Sequence, residues 1–197
     1  MCQYFSAIVI KDEVLWDANN DSHEDIIAMH KLDDTTKEPN FVRLEVSGGK
    51  MTNVNDPAWK IKVDQDYLPN WWKLDKYHNM IMGAFRTCHQ QIVKTEGHHI
   101  VKQGRVCAYN SATVKACDSA IVEAYNSATV EACNSAIVKA YDSATVKAFN
   151  SATVKAYNSA TVIKWSGDVK IQLYDNAVLV DRSGEKPKCQ IAKNAKK

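Results

Sequence analysis

The sequence predicts an α+β N-terminal domain followed by a parallel β-solenoid with two strands and about sixteen residues per coil. Three observations carry that prediction. Copies of A-[YCF]-[ND]-S-A-[TI]-V-[KE] begin at Ala108, Ala116, Ala124, Ala132, Ala140, Ala148 and Ala156. Within "ATVKAC" the small or apolar Ala112, Val114 and Ala116 alternate with Thr113, Lys115 and Cys117, the period of a strand. Alternate copies are the most alike: Tyr109, Tyr125, Tyr141 and Tyr157 are sixteen residues apart, as are Cys117, Cys133, Phe149 and Trp165.

The elements follow in chain order. "YFSAIVI", the turn "KDE" and "VLWD" read as a hairpin. "DSHEDIIAMHKL" reads as a short helix, with Ser22 as its cap, acids in its first turn, and Ile26, Ile27 and Met29 as apolar contacts. "FVRLEVS" and "WKIKVDQ" alternate as strands around the turn-rich "GGKMTNVNDPA". After Pro69, "NWWKLDKYHNMIMGAFRTCHQQIV" reads as a longer helix leading into the array. The expected division is a capping domain over 1–99, a solenoid over 100–180 and a basic tail over 181–197.

In the array the Asn-Ser or Asp-Ser pair is the corner, because Asn and Asp tolerate left-handed backbone and bond their own main chain. A helix is disfavoured, since an eight-residue period drifts around a 3.6-residue turn and scatters the valines. A strict forward repeat favours parallel stacking over hairpins. Charge supports a sixteen-residue coil: the rows read Lys115, Glu131, Lys147 and Glu123, Lys139, Lys155. Opposite signs mostly become neighbours about 4.8 Å apart, with Lys139 over Lys155 the exception. An eight-residue coil would set Glu123 beside Glu131. Degenerate copies are expected at "IVKQGRVC" (100–107) and, after a one-residue slip, at "LYDNAVLV" (173–180). About five coils then give a rod of about 24 Å with a narrow Ala-Val-Ala interior.

Net charge is +2 over 197 residues, split as −4 over 1–99, +2 over 100–180 and +4 over 181–197. Acids are spaced regularly through the array, so a phosphate track, and with it nucleic-acid binding, is not expected. No apolar run approaches the roughly 20 residues of a membrane helix. The opening "MCQYFSAIVIKDEVLWD" lacks the basic leader of a signal peptide. The six cysteines (2, 88, 107, 117, 133, 189) show no C-x-x-C pair and read as reduced thiols in the cytoplasm.

The outward ladders are the candidate surfaces. Tyr109, Thr113, Tyr125, Thr129, Tyr141, Thr145 and Tyr157 are taken together as a binding surface. Cys117, Ile121, Cys133, Ile137, Phe149 and Trp165 make an apolar face, read as the seam of a homodimer or as a docking face. The six histidines (23, 30, 78, 89, 98, 99) match no metal-ligand spacing, and neither a metal nor a cofactor is expected. No phosphate-binding glycine loop, nucleophile elbow or H-E-x-x-H occurs.

Cys2 is the weak catalytic candidate. Removal of Met1 would leave a thiol beside an α-amine able to act as its base. "MC" leading into a strand is similar to the opening of N-terminal-nucleophile amidotransferases and of SRAP-type abasic-site crosslinkers. Those families continue Cys-Gly where this chain has Gln3, and an incidental cysteine is the preferred reading.

The octapeptide array, with "DSHEDII", "FVRLEV" and "KVDQDYLPNWW", resembles a group of bacteriophage and prophage proteins. These pair a short N-terminal domain with A-[YW]-[GND]-x-A-x-V-x repeats. The resemblance carries no catalytic residue over. It implies a mobile-element context and, taken with the repeat architecture, a non-enzymatic interaction protein in the bacterial cytoplasm that binds a host protein or small molecule, with a structural virion-assembly protein or an enzyme using Cys2 as the alternatives.

Overall fold

A computed structural model describes residues 5–192, which divide into two compact units at Gln91/Ile92. In the first unit, β1 (Phe5–Ile10) and β2 (Glu13–Leu15) form the expected hairpin. With β3 (Val42–Ser47) and β4 (Lys60–Val63) they make an antiparallel sheet of order β2-β1-β3-β4. Helix α1 (His23–Met29) starts where its cap was expected, the Ser22 side chain accepting from the Asp25 N–H. The helix α2 (Leu74–Ile92) follows the Pro69 turn and contributes the buried Tyr77, Ile81 and Phe85. Phe85 meets Phe5 and Trp59 at ring separations of 5.7 and 4.8 Å, forming an aromatic core with the sheet.

The second unit is a parallel β-solenoid. One wall stacks β5 (Val93–Lys94), β7 (Arg105–Ala108), β9 (Ile121–Ala124), β11 (Ile137–Ala140), β13 (Thr153–Ala156) and β15 (Lys170–Leu173). The other stacks β6 (His98–Val101), β8 (Thr113–Ala116), β10 (Thr129–Ala132), β12 (Thr145–Ala148), β14 (Thr161–Lys164) and β16 (Val178–Asp181). Through the array each residue pairs with the one sixteen positions on: Thr129 lies over Thr113, and Ile137 over Ile121.

The interior is as narrow as the sequence requires. Ala112, Val114, Ala116, Ala120, Val122 and Ala124, and their images through the array, are wholly inaccessible to solvent. Each buried valine contributes about 1.5–3 kcal/mol, and the alanines let the two walls approach.

Every Asx corner of the array uses one device. Asn110, Asp118, Asn126, Asn134, Asp142, Asn150, Asn158 and Asp175 all have φ between 52° and 57°, the left-handed region these side chains tolerate. The residue before each corner accepts from the N–H three positions later, as in Ala112 N to Tyr109 O at 3.0 Å. The corner side chains also bond one another: Asn126 Nδ2 donates to Asn110 Oδ1 at 3.0 Å, and Asn134 Nδ2 to Asp118 Oδ1 at 2.8 Å.

Three expectations change. The solenoid has six coils rather than five, because β5 and β6, between Val93 and Val101, build a further coil and the unit begins at Ile92, not at a 99/100 boundary. Strands β7 to β16 are four residues long rather than the six of the "ATVKAC" alternation, since the residues flanking each Asx-Ser pair are spent on the turn. Part of the expected tail is ordered as a strand: β17 (Lys188–Ile191) pairs antiparallel with β16, so that wall ends under a reversed strand.

Candidate interaction face

The two walls present different outer surfaces. The residue that follows a strand continues that strand's ladder before the chain turns. Tyr125 N donates to Ala108 O at 2.9 Å, in the β7–β9 ladder, and Cys133 N to Ala116 O at 2.9 Å, in the β8–β10 ladder. The tyrosines therefore belong with the isoleucine rows, and the Cys117, Cys133, Phe149 and Trp165 row belongs with the threonines. This divides both surfaces expected from the sequence, which had joined each corner residue to the strand after it.

The tyrosine wall carries Tyr109, Tyr125, Tyr141, Tyr157 and Tyr174 as one continuous stack. Successive ring centroids are 4.8, 4.9, 5.0 and 4.6 Å apart, with planes 6–10° from parallel. The rung spacing of a parallel sheet imposes this near face-to-face arrangement, which free aromatic pairs avoid in favour of offset or edge contacts. On the same wall Ile121 and Ile137 remain 38% and 43% exposed.

At the centre of this wall sits a charged group that the sequence pattern placed in a charge row but did not include in either candidate surface. Glu123 is only 9% exposed although its side chain points outward, because its neighbours cover it. Tyr125 Oη donates to Glu123 Oε2 at 2.8 Å, Lys139 Nζ donates to Oε1 at 3.2 Å, and an Arg105 guanidinium nitrogen lies 3.5 Å away. Burial would raise the Glu123 carboxyl, but the Tyr125 hydrogen bond and the two cations outweigh it and hold the group below its usual range. Burial pushes the phenols of Tyr109 and Tyr125 up, helped at Tyr109 by Cys107 and then Glu123, and at Tyr125 by the hydrogen bond to Glu123. The signal for this cluster was present in the rung register, which had already set Glu123 beside Lys139.

A group lowered in the folded state stabilises above its ordinary value of about 4.5 and loses that contribution as pH falls through the folded value. Glu123→Gln should therefore be less stable than the wild-type chain at neutral pH. The gap should narrow as the pH is lowered below that ordinary value. Urea-unfolding midpoints measured across that range test this; a gap that does not change with pH would contradict it.

The threonine wall is built differently. Thr113, Thr129, Thr145 and Thr161 form one row, continued by Val178. Lys147 pairs with Glu131 at 3.6 Å across a rung. At the corner row the Cys117 and Cys133 sulfurs are 2.6 Å apart. Further along, Trp165 is 40% exposed, with the Arg182 guanidinium 5.3 Å above its ring.

The remaining candidates sit elsewhere. Cys2 lies outside the described residues. His23 Nε2 donates to Leu44 O at 3.0 Å and His89 Nε2 to Met51 O at 2.8 Å, both holding backbone in the first unit. Among the described residues no three His, Cys, Asp or Glu side chains gather as a metal site. No helix among them is long and apolar enough to cross a membrane. Burial pushes the Cys88 thiol up to about 12, and burial followed by Glu123 pushes Cys107 up to about 11, so neither is poised as a nucleophile.

Comparison with protein-family models, with curated proteins and with solved structures gave no match.

Proposed function

We propose that this chain is a non-enzymatic, phage-encoded interaction protein whose solenoid self-associates and engages a host protein or small molecule in the bacterial cytoplasm. One observation carries the reading: an unbroken stack of five tyrosines beside the exposed Ile121 and Ile137 on one rigid wall. Aromatic rings supply large contact area at low entropic cost, and apolar side chains exposed in a row favour a partner over solvent. The buried Glu123 cluster adds a fixed charge pattern to that surface, which favours one register of binding over others. The phage setting and the host-directed role rest on the resemblance of the octapeptide array.

Within this reading the dimer seam lies at the isoleucine row, where Ile121 and Ile137 are exposed. Ile121→Lys with Ile137→Lys points outward and leaves the interior untouched, so circular dichroism should be unchanged. Sedimentation should show a dimer for the wild-type chain and a monomer for the double variant. A wild-type monomer, with an unaltered double variant, would remove the seam. Affinity capture of tagged protein from phage-infected bacteria tests the wider role. A host protein or small molecule lost on Tyr141→Ala supports it, whereas no partner and tagged protein confined to virions would point to a structural virion role.

A further inference from the structure

The corner row of the threonine wall holds two cysteines sixteen residues apart in sequence and directly stacked in space. Their strands run in parallel register: β8 and β10 pair residue for residue from Thr113/Thr129 to Ala116/Ala132. The ladder continues through Cys133 N to Ala116 O at 2.9 Å. Adjacent rungs set the two α-carbons about 4.8 Å apart, within the window of about 4.4–6.8 Å that a disulfide spans. Both side chains point the same way, and their sulfurs are 2.6 Å apart, well inside ordinary non-bonded contact. The other described cysteines lack such a partner: Cys88 and Cys107 are buried, and Cys189 is exposed.

We propose that Cys117 and Cys133 form a dithiol site that low-molecular-weight disulfides of the glutathione type oxidise to an intramolecular disulfide joining two coils. The chemistry balances in two exchanges. One cysteine thiolate attacks the external disulfide, forming a mixed disulfide and expelling one small thiolate. The second cysteine thiolate attacks the protein sulfur of that mixed disulfide and expels the other. The two cysteines lose two protons and two electrons, and the external disulfide is reduced to two thiols. Because the stacked strands already hold the partners together, the second exchange is effectively intramolecular and outcompetes a second external thiol.

The surroundings set the pace. Burial and contact with Cys117 push the Cys133 thiol up to about 11, with Asp118 acting in the same direction and Lys115 against it. Few Cys133 thiolates exist at neutral pH, so attack by Cys133 is a slow exchange. Once closed, the bond encloses a single coil and restrains the unfolded chain.

The sequence makes the test clean. Residues 116–138 contain no Lys or Arg, so trypsin releases both cysteines in one peptide, 116–139. Full-length native protein is incubated with oxidised glutathione, alkylated and digested. The expected result is peptide 116–139 lighter by two hydrogens and carrying no alkyl group. A second cleavage after Glu123 and Glu131 should leave 116–123 joined to 132–139 until a reductant is added. The oxidised chain should also melt at a higher temperature than the reduced one. Cys133→Ser should abolish the link and leave Cys117 open to alkylation or to a stable glutathione adduct. The proposal is overturned if peptide 116–139 is doubly alkylated while Cys189 has reacted. Two glutathione adducts on that peptide, or a link between two molecules, would overturn it as well.

Discussion

Val138→Asp should unfold the repeat array. Val138 lies in β11 near the middle of the solenoid, wholly inaccessible, paired with Val122 below and Val154 above. A carboxylate there meets only alanine and valine side chains, with no cation or donor in the row. Taking an ionised group from water into such a place costs about 4 kcal/mol or more, a large part of the stability of a domain this size. A coil contacts only its neighbours, so damage at the centre interrupts the stack on both sides. The adjacent Ile137 is the control: it is 43% exposed and points outward, and Ile137→Asp should cost the single chain within about 1 kcal/mol when both variants are compared at a dilution that dissociates the proposed dimer. Urea unfolding followed by far-ultraviolet circular dichroism should separate the two variants clearly. Equal losses would contradict the assignment of interior and exterior rows.

Gly167→Ala should be strongly destabilising for the addition of a single methyl group. One corner departs from the Asn-Ser pattern: "WSGDV" replaces "FNSA", and the pairing offset rises from sixteen to seventeen, with Thr153 opposite Lys170. The extra residue brings Gly167 against the corner below. Its φ is +77°, and a Cβ there would lie 2.5 Å from the Asn150 carbonyl oxygen and 2.6 Å from its α-carbon. Left-handed backbone costs an alanine about 1–2 kcal/mol, and the overlap is with main chain that cannot rotate away. A total loss of about 2–4 kcal/mol is expected. Nothing lies within 4 Å of the point a methyl group would occupy on Gly184, so Gly184→Ala should be neutral or slightly stabilising. Thermal melts of both variants test the contrast.

These two sites mark what the sequence could and could not show. Val138 was assigned to the interior from alternation alone, and the left-handed corners from Asx-Ser alone, because both are local consequences of residue type repeated many times. The seventeen-residue step was also visible, as a slip before "LYDNAVLV". The first coil was not. Its strands are offset by fourteen residues at Val93/Cys107 and by fifteen at His98/Thr113, so no fixed period remains. Its interior row also contains His99 opposite Val114, where the array would place an apolar residue. β17 was hidden for another reason: "KCQI" has the charge of a tail, and its pairing with β16 is tertiary rather than local.

The candidate face was half legible. Sixteen-residue spacing identified the tyrosine, isoleucine and cysteine rows and the Glu123–Lys139 contact. It did not say on which side of a corner each aromatic falls. That depends on where the backbone stops bonding along the rung, shown by Tyr125 N to Ala108 O, and no side-chain pattern encodes it directly. Tyr174 extends the stack to five only because the slip before it is absorbed at Gly167.

The pairing of alternate octads also governs how a gene for this array can change length. Removing 124–139 would bring Lys155 beside Glu123, where Lys139 now stands, and every downstream side chain would stay on its own wall. Removing only 124–131 would set Cys133 in the place of Tyr125 and send all later residues to the opposite wall, breaking the aromatic column. Tandem duplication or deletion is thus tolerated in doublets and penalised in singlets, a parity rule written into the backbone.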